Sequence, residues 1–299
     1  MIAVNQQLEQ AALLALLRDL KRGWGEVADA VEEAGSAYAV LDHQLNTGQV
    51  DLFASPEDLD VQLAATEKEI AQWTNEDMRL VTLLDPDYPQ QLRMIHQRPP
   101  FLLYRGRLDP TDATGVAVVG TREATSQGIE RAGEIASGLA ERGVPVISGL
   151  ARGIDAAAHQ GALDAGGRTV AVIGTGLRRA YPKENADLQE RLSRDHLVLS
   201  QFWPDSPPTK HSFPMRNAVM SGYAAATVVV EAGARSGAKM QARLALEHGR
   251  PVFLLDSLLA HDWAKEFAQR PGTHVVADTD DVLAALEDVL TPVGELVLA

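Results

Sequence analysis

The sequence predicts an α/β protein with an extended, doubly wound Rossmann-like core on a mostly parallel sheet, and a small N-terminal helical domain. Two observations predict this fold. Short runs of apolar, mostly β-branched residues recur from residue 116 onward, and stretches with helical periodicity separate them. Wholly apolar strands that alternate with helices are typical of a parallel sheet covered on both faces. The length of 299 residues allows one large domain or two modest ones.

The chain divides into three parts by pattern. Leucines recur at helical spacing between Leu13 and Leu20, which predicts a helical domain over residues 1–75. A turn-rich stretch follows and leads into a short apolar strand at 101–104. We therefore assign residues 76–290 to the Rossmann-like domain, with a motif-bearing core at 105–256, and residues 291–299 to a tail.

The core contains six predicted strands with helices between them. The strands are predicted at 116–119, 144–147, 170–173, 197–199, 227–230 and 252–255. The helices are predicted at 126–142, 154–165, 184–194, 215–224 and 239–248, and a last helix at 280–290. Each strand run is about four residues long, the length expected of a strand buried on both faces.

The formal net charge of −14 at first argues against a nucleic-acid partner, because Lys and Arg drive phosphate binding. The charge is unevenly distributed. Residues 1–104 carry 7 basic and 17 acidic residues, residues 105–256 carry 18 and 16, and residues 257–299 carry 2 and 8. The core is therefore slightly basic at +2. A local basic patch can bind nucleic acid there, whereas binding of duplex along a broad face is not expected.

The chain contains no cysteine, which excludes disulfides, cysteine-ligated metals and a thiol nucleophile. We see no signal peptide at the N-terminal end and no run of about 18 apolar residues that could span a membrane. We therefore expect a cytoplasmic protein with no membrane association.

The loops that follow the predicted strands carry the candidate binding residues, because ligands of open parallel sheets bind at the carboxyl ends of strands. Four loops combine glycine with hydroxyl groups or arginine, an arrangement that suits a phosphate-bearing ligand. A tight turn without function is the alternative for any single loop. The candidates are Gly120, Thr121, Arg122, Ser148, Gly149, Arg152, Gly153, Asp155, Gly174, Gly176, Glu231, Ser236 and Gly237.

A second candidate is the segment 210–217, which holds two cations, a histidine and an aromatic ring. Lys210 and Arg216 could hold phosphates, Phe213 could stack on a base, and Asn217 follows them directly. These are the components of single-strand binding. The alternative is a solvated helix start with Phe213 buried in the core.

Sequence patterns for cofactors and catalysis are missing. The dinucleotide fingerprint fails from Gly120 and from Gly174, because Arg122 and Arg179 stand where it requires glycine. No Walker A loop, metal-binding histidine pair or G-x-S-x-G elbow occurs. We expect no cofactor, no metal and no catalytic residue. Glu231 could be a general base, a ribose-binding carboxylate or a stabiliser of a helix N-terminus.

The order of these motifs carries a resemblance. The first motifs are Asp85, Tyr88-Pro89, Pro99, Leu103-Tyr104 and Gly106. They are followed in order by Gly120-Thr121-Arg122, the run from Ser148 to Asp155, Gly174 and Gly176, Tyr181-Pro182 and Asn185, Phe213 with Arg216-Asn217, and Ser236-Gly237. Across residues 76–256 the sequence resembles the DprA/Smf family of DNA-processing proteins. The resemblance implies an extended Rossmann core, single-stranded DNA binding, a homodimer, and a role in loading a RecA-type recombinase during DNA uptake or recombination.

The resemblance also implies which residues line the DNA pocket. They are Arg122, Ser148, Gly149, Gly153, Asp155, Phe213, Arg216 and Asn217, with Lys210 where the family often has a basic residue. Ala218 follows Asn217 where the family has a further arginine. The residues after 290 leave no room for the family's C-terminal winged helix, so we expect that module to be absent. The alternative function is a sensor of a nucleotide-derived small molecule, or less readily its hydrolase, since Glu231 to Gly237 lacks the hydrolase loop P-G-G-x-G-T.

Overall fold

The computed structural model of the chain describes residues 2–18, 23–46, 56–234 and 236–287. The chain divides into two compact units. The N-terminal unit comprises Met1–Tyr88 and Gln97–Tyr104, and the C-terminal unit comprises Pro89–His96 and Arg105–Ala299. The domain boundary at residue 75 stays a prediction, and the expected tail at 291–299 lies outside the described residues.

The N-terminal unit is mainly helical. Its elements are α1 (Ile2–Arg18), α2 (Trp24–Ala34), α3 (Ala37–Asn46), α4 (Pro56–Asn75), β1 (Arg79–Thr82) and the first four residues of β2 (Phe101–Gly106). Helix α1 packs against α3 and α4, and its residues 11–17 are all buried. A helix that is apolar on every side belongs in the middle of a bundle, which is where α1 lies. β1 and β2 pair antiparallel, with Arg79 opposite Tyr104.

The turn after β1 contains an acidic and an aromatic residue, and each has a structural role. The buried Asp85 carboxylate accepts hydrogen bonds from Gln10 Nε2 at 3.0 Å and from Thr82 N at 2.7 Å. Tyr88 is fully buried and its hydroxyl donates to Pro99 O at 2.7 Å. A buried polar group is stable only with such partners, so these motif residues shape the fold of the N-terminal unit.

The C-terminal unit is a parallel sheet with helices between its strands. Its strands are β3 (Val116–Val119), β4 (Val146–Ser148), β5 (Thr169–Val172), β6 (Leu197–Ser200), β7 (Ala226–Val229), β8 (Val252–Leu255) and β9 (Thr273–Val276). Its helices are α5 (Gln90–Arg93), α6 (Ser126–Glu141), α7 (Ile154–Asp164), α8 (Ala186–Asp195), α9 (Ser212–Tyr223), α10 (Gly237–Glu247) and α11 (Asp262–Ala268), and residues 279–287 are also helical. Short 3-10 turns occupy Pro110–Thr114, Lys183–Asn185 and Asp256–Ala260.

The seven strands of this unit lie in the order β6-β5-β4-β3-β7-β8-β9, and every neighbouring pair is parallel. From β3 the chain first moves outward through β4, β5 and β6, and it then returns to place β7 on the other side of β3. The loops after β3 and β7 therefore diverge, which opens a crevice at the carboxyl ends of these strands. The α/β fold class predicted from the sequence is confirmed.

The predicted element bounds differ from the structure in ways that have local causes. β4 begins at Val146 because Pro145 has no N–H, and Val144 N donates instead to Leu139 O at the end of α6. α9 begins at Ser212, earlier than predicted, because Ser212 N donates to Thr209 Oγ1 at 3.0 Å. The short strands β1 and β9 and the helix α11 were not predicted, since their mixed polar sequences carry little periodicity.

None of the helices in the described part of the chain combines the length and apolar character that crossing a bilayer requires.

Candidate functional site

A cleft lies at the carboxyl ends of the strands in the C-terminal unit, where the loops after β3, β4 and β7 meet the first turns of α9 and α10. It brings together residues that are far apart in the sequence. Of the predicted site residues, the cleft and its narrow extension are lined by Gly120, Thr121, Arg122, Gly149, Arg152, Asp155, Gly174, Phe213, Arg216, Asn217, Ser236 and Gly237. The topological switch point therefore holds most of the predicted site.

The rim of the cleft, which we define as Arg122, Arg152, Tyr181 and Phe213, presents cations and rings to solvent. The Arg122 guanidinium lies 4.8 Å from the centre of the Phe213 ring, and the Tyr181 ring lies 5.7 Å from the same ring. Arg122 and Arg152 are exposed, and Arg152 makes an ion pair with Glu184 at 3.3 Å. Phe213 is half-buried, so the ring remains available as a stacking surface.

The floor of the cleft, which we define as Gly149, Asp155, Arg216 and Asn217, is buried. Arg216 Nη1 donates to Val172 O at 3.1 Å and lies 3.9 Å from Asp155 Oδ2. Asp155 in turn accepts from Gly149 N at 3.2 Å. A Cβ at position 149 would lie 1.2 Å from Arg216 Nη1, so only glycine lets the guanidinium rest on this backbone.

Burial sets the electrostatics of the floor. It raises the pKa of Asp155, against the opposing effects of Arg216 and of N–H donors at Ala151 and Gly149. Burial likewise lowers the pKa of Arg216, which the Asp155 charge opposes and the nearby Arg122 charge reinforces. The Asp155 and Arg216 charges therefore stabilise each other in a place that water solvates poorly.

The opposite wall comes from the start of α10. Ser236 caps this helix, because its side-chain oxygen accepts from Ala238 N at 3.2 Å. Asn217 Nδ2 donates to Gly237 O at 3.3 Å and so ties α9 to the α10 N-terminus. The first amides of α10 and their partial positive charge therefore face the cleft.

Five predicted residues do not line the cleft. Ser148 is fully buried and its hydroxyl donates to Val118 O at 2.7 Å, within the sheet. Gly153 precedes α7 with a φ of +75°. Gly176 packs against the backbone of Pro204, and Lys210 is exposed outside the lining.

Glu231 is the fifth of these residues. Its carboxylate accepts from the backbone N and the hydroxyl of Thr125, both at 3.0 Å. Thr125 is the N-cap of α6. Of the three roles that the sequence left open for Glu231, the structure supports the stabiliser of a helix N-terminus.

His159 lies one turn after Asp155 on α7 and is fully buried. Its Nδ1 is 2.7 Å from Thr169 Oγ1, and burial lowers its pKa from 6.5 to about 3. The residue is therefore neutral at physiological pH, with a structural hydrogen bond. Among the described residues, no group of three or more His, Asp or Glu side chains is placed to hold a metal ion.

Sequence reasoning missed three residues of the site. Tyr181 reaches the rim from the loop after β5, and Gln241 lines the cleft from α10. Asn185 Nδ2 donates to Leu150 O at 2.9 Å and so fixes the loop after β4. The sequence signals available for them were an aromatic residue and an amide in a loop that follows a strand. Tyr181 and Asn185 stand in the motif order that carries the resemblance, but no role in the site was assigned to them from the sequence.

The family model described as DNA recombination-mediator protein A matches residues 79–288. The DNA processing protein DprA of Streptococcus pneumoniae is 42% identical over 211 residues, which are 69% of this chain and 73% of that protein. Protein Smf of Escherichia coli is 37% identical over 204 residues, 67% of this chain and 54% of that protein. The match thus spans about half the length of the longer relative.

Two solved structures share the fold. The X-ray structure of DprA from Streptococcus pneumoniae is 36% identical, covers 82% of this chain and 90% of that one, and has a TM-score of 0.65. DprA from Helicobacter pylori, whose structure is described as giving insight into its single-stranded DNA binding mode, is 26% identical, covers 70% and 96%, and has a TM-score of 0.62.

Proposed function

The chain belongs to the DNA recombination-mediator protein A family, and from this premise we propose that it binds single-stranded DNA in the cleft at the strand ends. The observation that carries the proposal is the convergence of Arg122 and Arg216 with the Phe213 ring. Cations hold the phosphates of a single strand and rings stack on its bases. The similarity to the Helicobacter pylori protein supports the same ligand.

We further propose that the cleft binds the DNA without acting on it chemically. Three side chains near the cleft that could act as bases are held by the fold: Asp155 by Arg216, Glu231 by Thr125, and His159 by Thr169. General acid–base catalysis needs a group that is free to reach a substrate proton. The family and the relatives agree with this DNA-processing interpretation and not with the nucleotide-sensor alternative.

The test is an electrophoretic shift that compares single-stranded with duplex DNA of the same length. We expect the single strand to bind more tightly, with an affinity that falls steeply as salt rises because bound phosphates release counterions. Equal affinity for single-stranded and duplex DNA, or no binding of homopolymer strands at low salt, would refute the proposal.

We further propose that the protein acts in the cytoplasm as a homodimer that helps a RecA-type recombinase onto the bound strand. The family description as a recombination mediator supports this. Light scattering on the purified chain should give twice the 32.2 kDa of one chain. Recombinase filament growth on strands coated with single-strand binding protein should accelerate when the protein is added, and an unchanged rate would exclude the loading role.

A further inference from the structure

The narrow end of the cleft is chemically different from the rest of it. This arginine pocket is lined by Arg122, Arg152, Arg216, Gly174, Tyr181 and Phe213, together with small neighbours. Three guanidinium groups face it and no carboxylate lines it, whereas the wider cleft also includes Glu123 and Asp155. The pocket is therefore the part of the cleft best suited to an anion.

The pocket is closed at its base. A Cβ at Gly174 would lie 2.8 Å from Cδ1 of Phe213, and the Arg216 guanidinium rests directly on Gly149. The rings of Phe213 and Tyr181 close one side. A continuous DNA backbone needs an entrance and an exit, so a pocket with a closed base suits the end of a chain.

The guanidinium at the base has donors to spare. The Arg216 side chain is only 6% exposed, and its Nε is buried without a hydrogen-bond partner in the described structure. An arginine has five N–H donors, and an unsatisfied buried donor is costly. Arg216 lines the pocket, so a phosphate oxygen there can accept from the part of its guanidinium that faces the pocket.

From the closed base and the three guanidinium groups we propose that the arginine pocket takes the terminal phosphomonoester of a bound single strand. A terminal phosphate carries about −1.5 to −2 charge at pH 7 and three acceptor oxygens, whereas an internal phosphodiester carries −1 and continues on both sides. Asp155 balances Arg216, and Glu184 shares the Arg152 charge through an exposed ion pair that water screens, so the pocket keeps an excess of positive charge for the terminal group. This inference rests on the proposed binding of single-stranded DNA.

The test measures fluorescence anisotropy of the full chain with internally labelled thymidine strands of about 20 nucleotides. Four strands are compared: one with a 5′-phosphate, one with a 3′-phosphate, one with hydroxyls at both ends, and one that is two nucleotides longer with hydroxyl ends. The longer strand controls for the added charge. We expect one phosphorylated strand to bind roughly tenfold more tightly than both hydroxyl-ended strands.

A variant pair assigns that preference to the pocket. Arg152→Gln removes a rim cation of the pocket and an exposed ion pair with Glu184, and it should reduce the preference to less than about twofold. Arg243→Gln removes the same kind of residue with an ion pair to Glu247, but Arg243 does not line the cleft. It should keep the full preference.

Two results would overturn the inference while leaving the proposed function intact. One is equal affinity for phosphorylated and hydroxyl-ended strands of matched charge. The other is an Arg152→Gln variant that weakens all four strands by the same factor, since Arg152 would then contact an internal phosphate. Failure of every strand to bind would instead refute the proposed function, and this inference with it.

Discussion

The floor and the rim of the cleft use the same residue type for different purposes. Arg216 on the floor is 5% exposed, paired with Asp155 and bonded to Val172 O. Arg122 on the rim is exposed and contacts only the face of Phe213 among the contacts that the structure describes. Arg216 both holds the cleft together and lines it, whereas Arg122 only presents its charge to a ligand.

Burial therefore determines whether an arginine contributes to folding stability as well as to ligand binding. Removing one charge from the floor leaves its partner unpaired in a medium that solvates it poorly, so the free energy of unfolding falls. When a charge is removed from the rim, water takes its place, so only the affinity for an anion falls. Variants on the floor should therefore change unfolding as well as binding, whereas variants on the rim should change binding alone.

The largest expected effect is that of Arg216→Gln. The variant leaves the buried Asp155 carboxylate without its cation, which should lower the free energy of unfolding by about 3–5 kcal/mol. Urea unfolding followed by circular dichroism measures this. The double variant with Asp155→Asn should recover part of the lost free energy of unfolding. If the losses of the two single variants simply add, Arg216 and Asp155 do not stabilise each other.

Gly149→Ala tests the contact between the floor backbone and Arg216. Its Cβ would collide with the guanidinium, so we expect a loss of about 1–3 kcal/mol in unfolding free energy. Gly133→Ala in α6 is the matched control, because nothing lies within 4 Å of its added Cβ. That control should gain about 0.5–1 kcal/mol from helix propensity.

Phe213→Leu tests the rim as a stacking surface. The substitution keeps an apolar side chain but removes the ring beside Arg122 and Tyr181. We expect single-strand affinity to fall by about 1–3 kcal/mol, with much smaller changes in stability. Anisotropy titration and thermal melting separate the two effects, and a large melting shift without a binding loss would place Phe213 with the floor.

Acid should destabilise the buried side of the site through His159. Its folded pKa of about 3 lies below the unfolded value of 6.5, so the unfolded state takes up the proton first as the pH falls. Stability is complete above the unfolded pKa and is lost as the pH falls below 6.5, at up to about 1.4 kcal/mol per pH unit.

Unfolding curves at a series of pH values test this assignment. His159→Gln should flatten the pH dependence, whereas His211→Gln, which alters an exposed residue, should leave it unchanged. Identical slopes in all three proteins would show that His159 is not the group responsible.

Arg122→Gln should have the smallest effect on the fold. We expect the free energy of unfolding to stay within about 0.5 kcal/mol, because the side chain is exposed. The slope of log affinity against log salt should decrease by about one, as for a lost phosphate contact. Arg243→Gln is the control with an unchanged slope.

Much of the fold was predictable because its signals are local. A strand such as β3 is four buried apolar residues followed by glycine, and the neighbouring helix α6 carries its own N-cap, Thr125. The strands β1 and β9 lie outside that pattern. β9 has two exposed residues among its four, so its place in the sheet depends on pairing with β8.

The residues of the site were less predictable than the loops that carry them. Ser148 and Gly149 are neighbours, yet one hydroxyl turns into the sheet while the other backbone supports Arg216. Tyr181 joins Phe213 from another loop. Such outcomes depend on side-chain direction and on distance in space, which sequence spacing does not contain.

Three features could be read from the residues alone: the alternation of strands and helices, the slightly basic core between acidic ends, and the order of motifs that marks the family. These follow from burial, charge and turn chemistry at each position. Which motif residues share a cleft and which are buried supports became clear from the folded structure. Solvation, hydrogen bonding and charge pairing at Arg216 depend on a strand, a loop and a helix that meet only after folding.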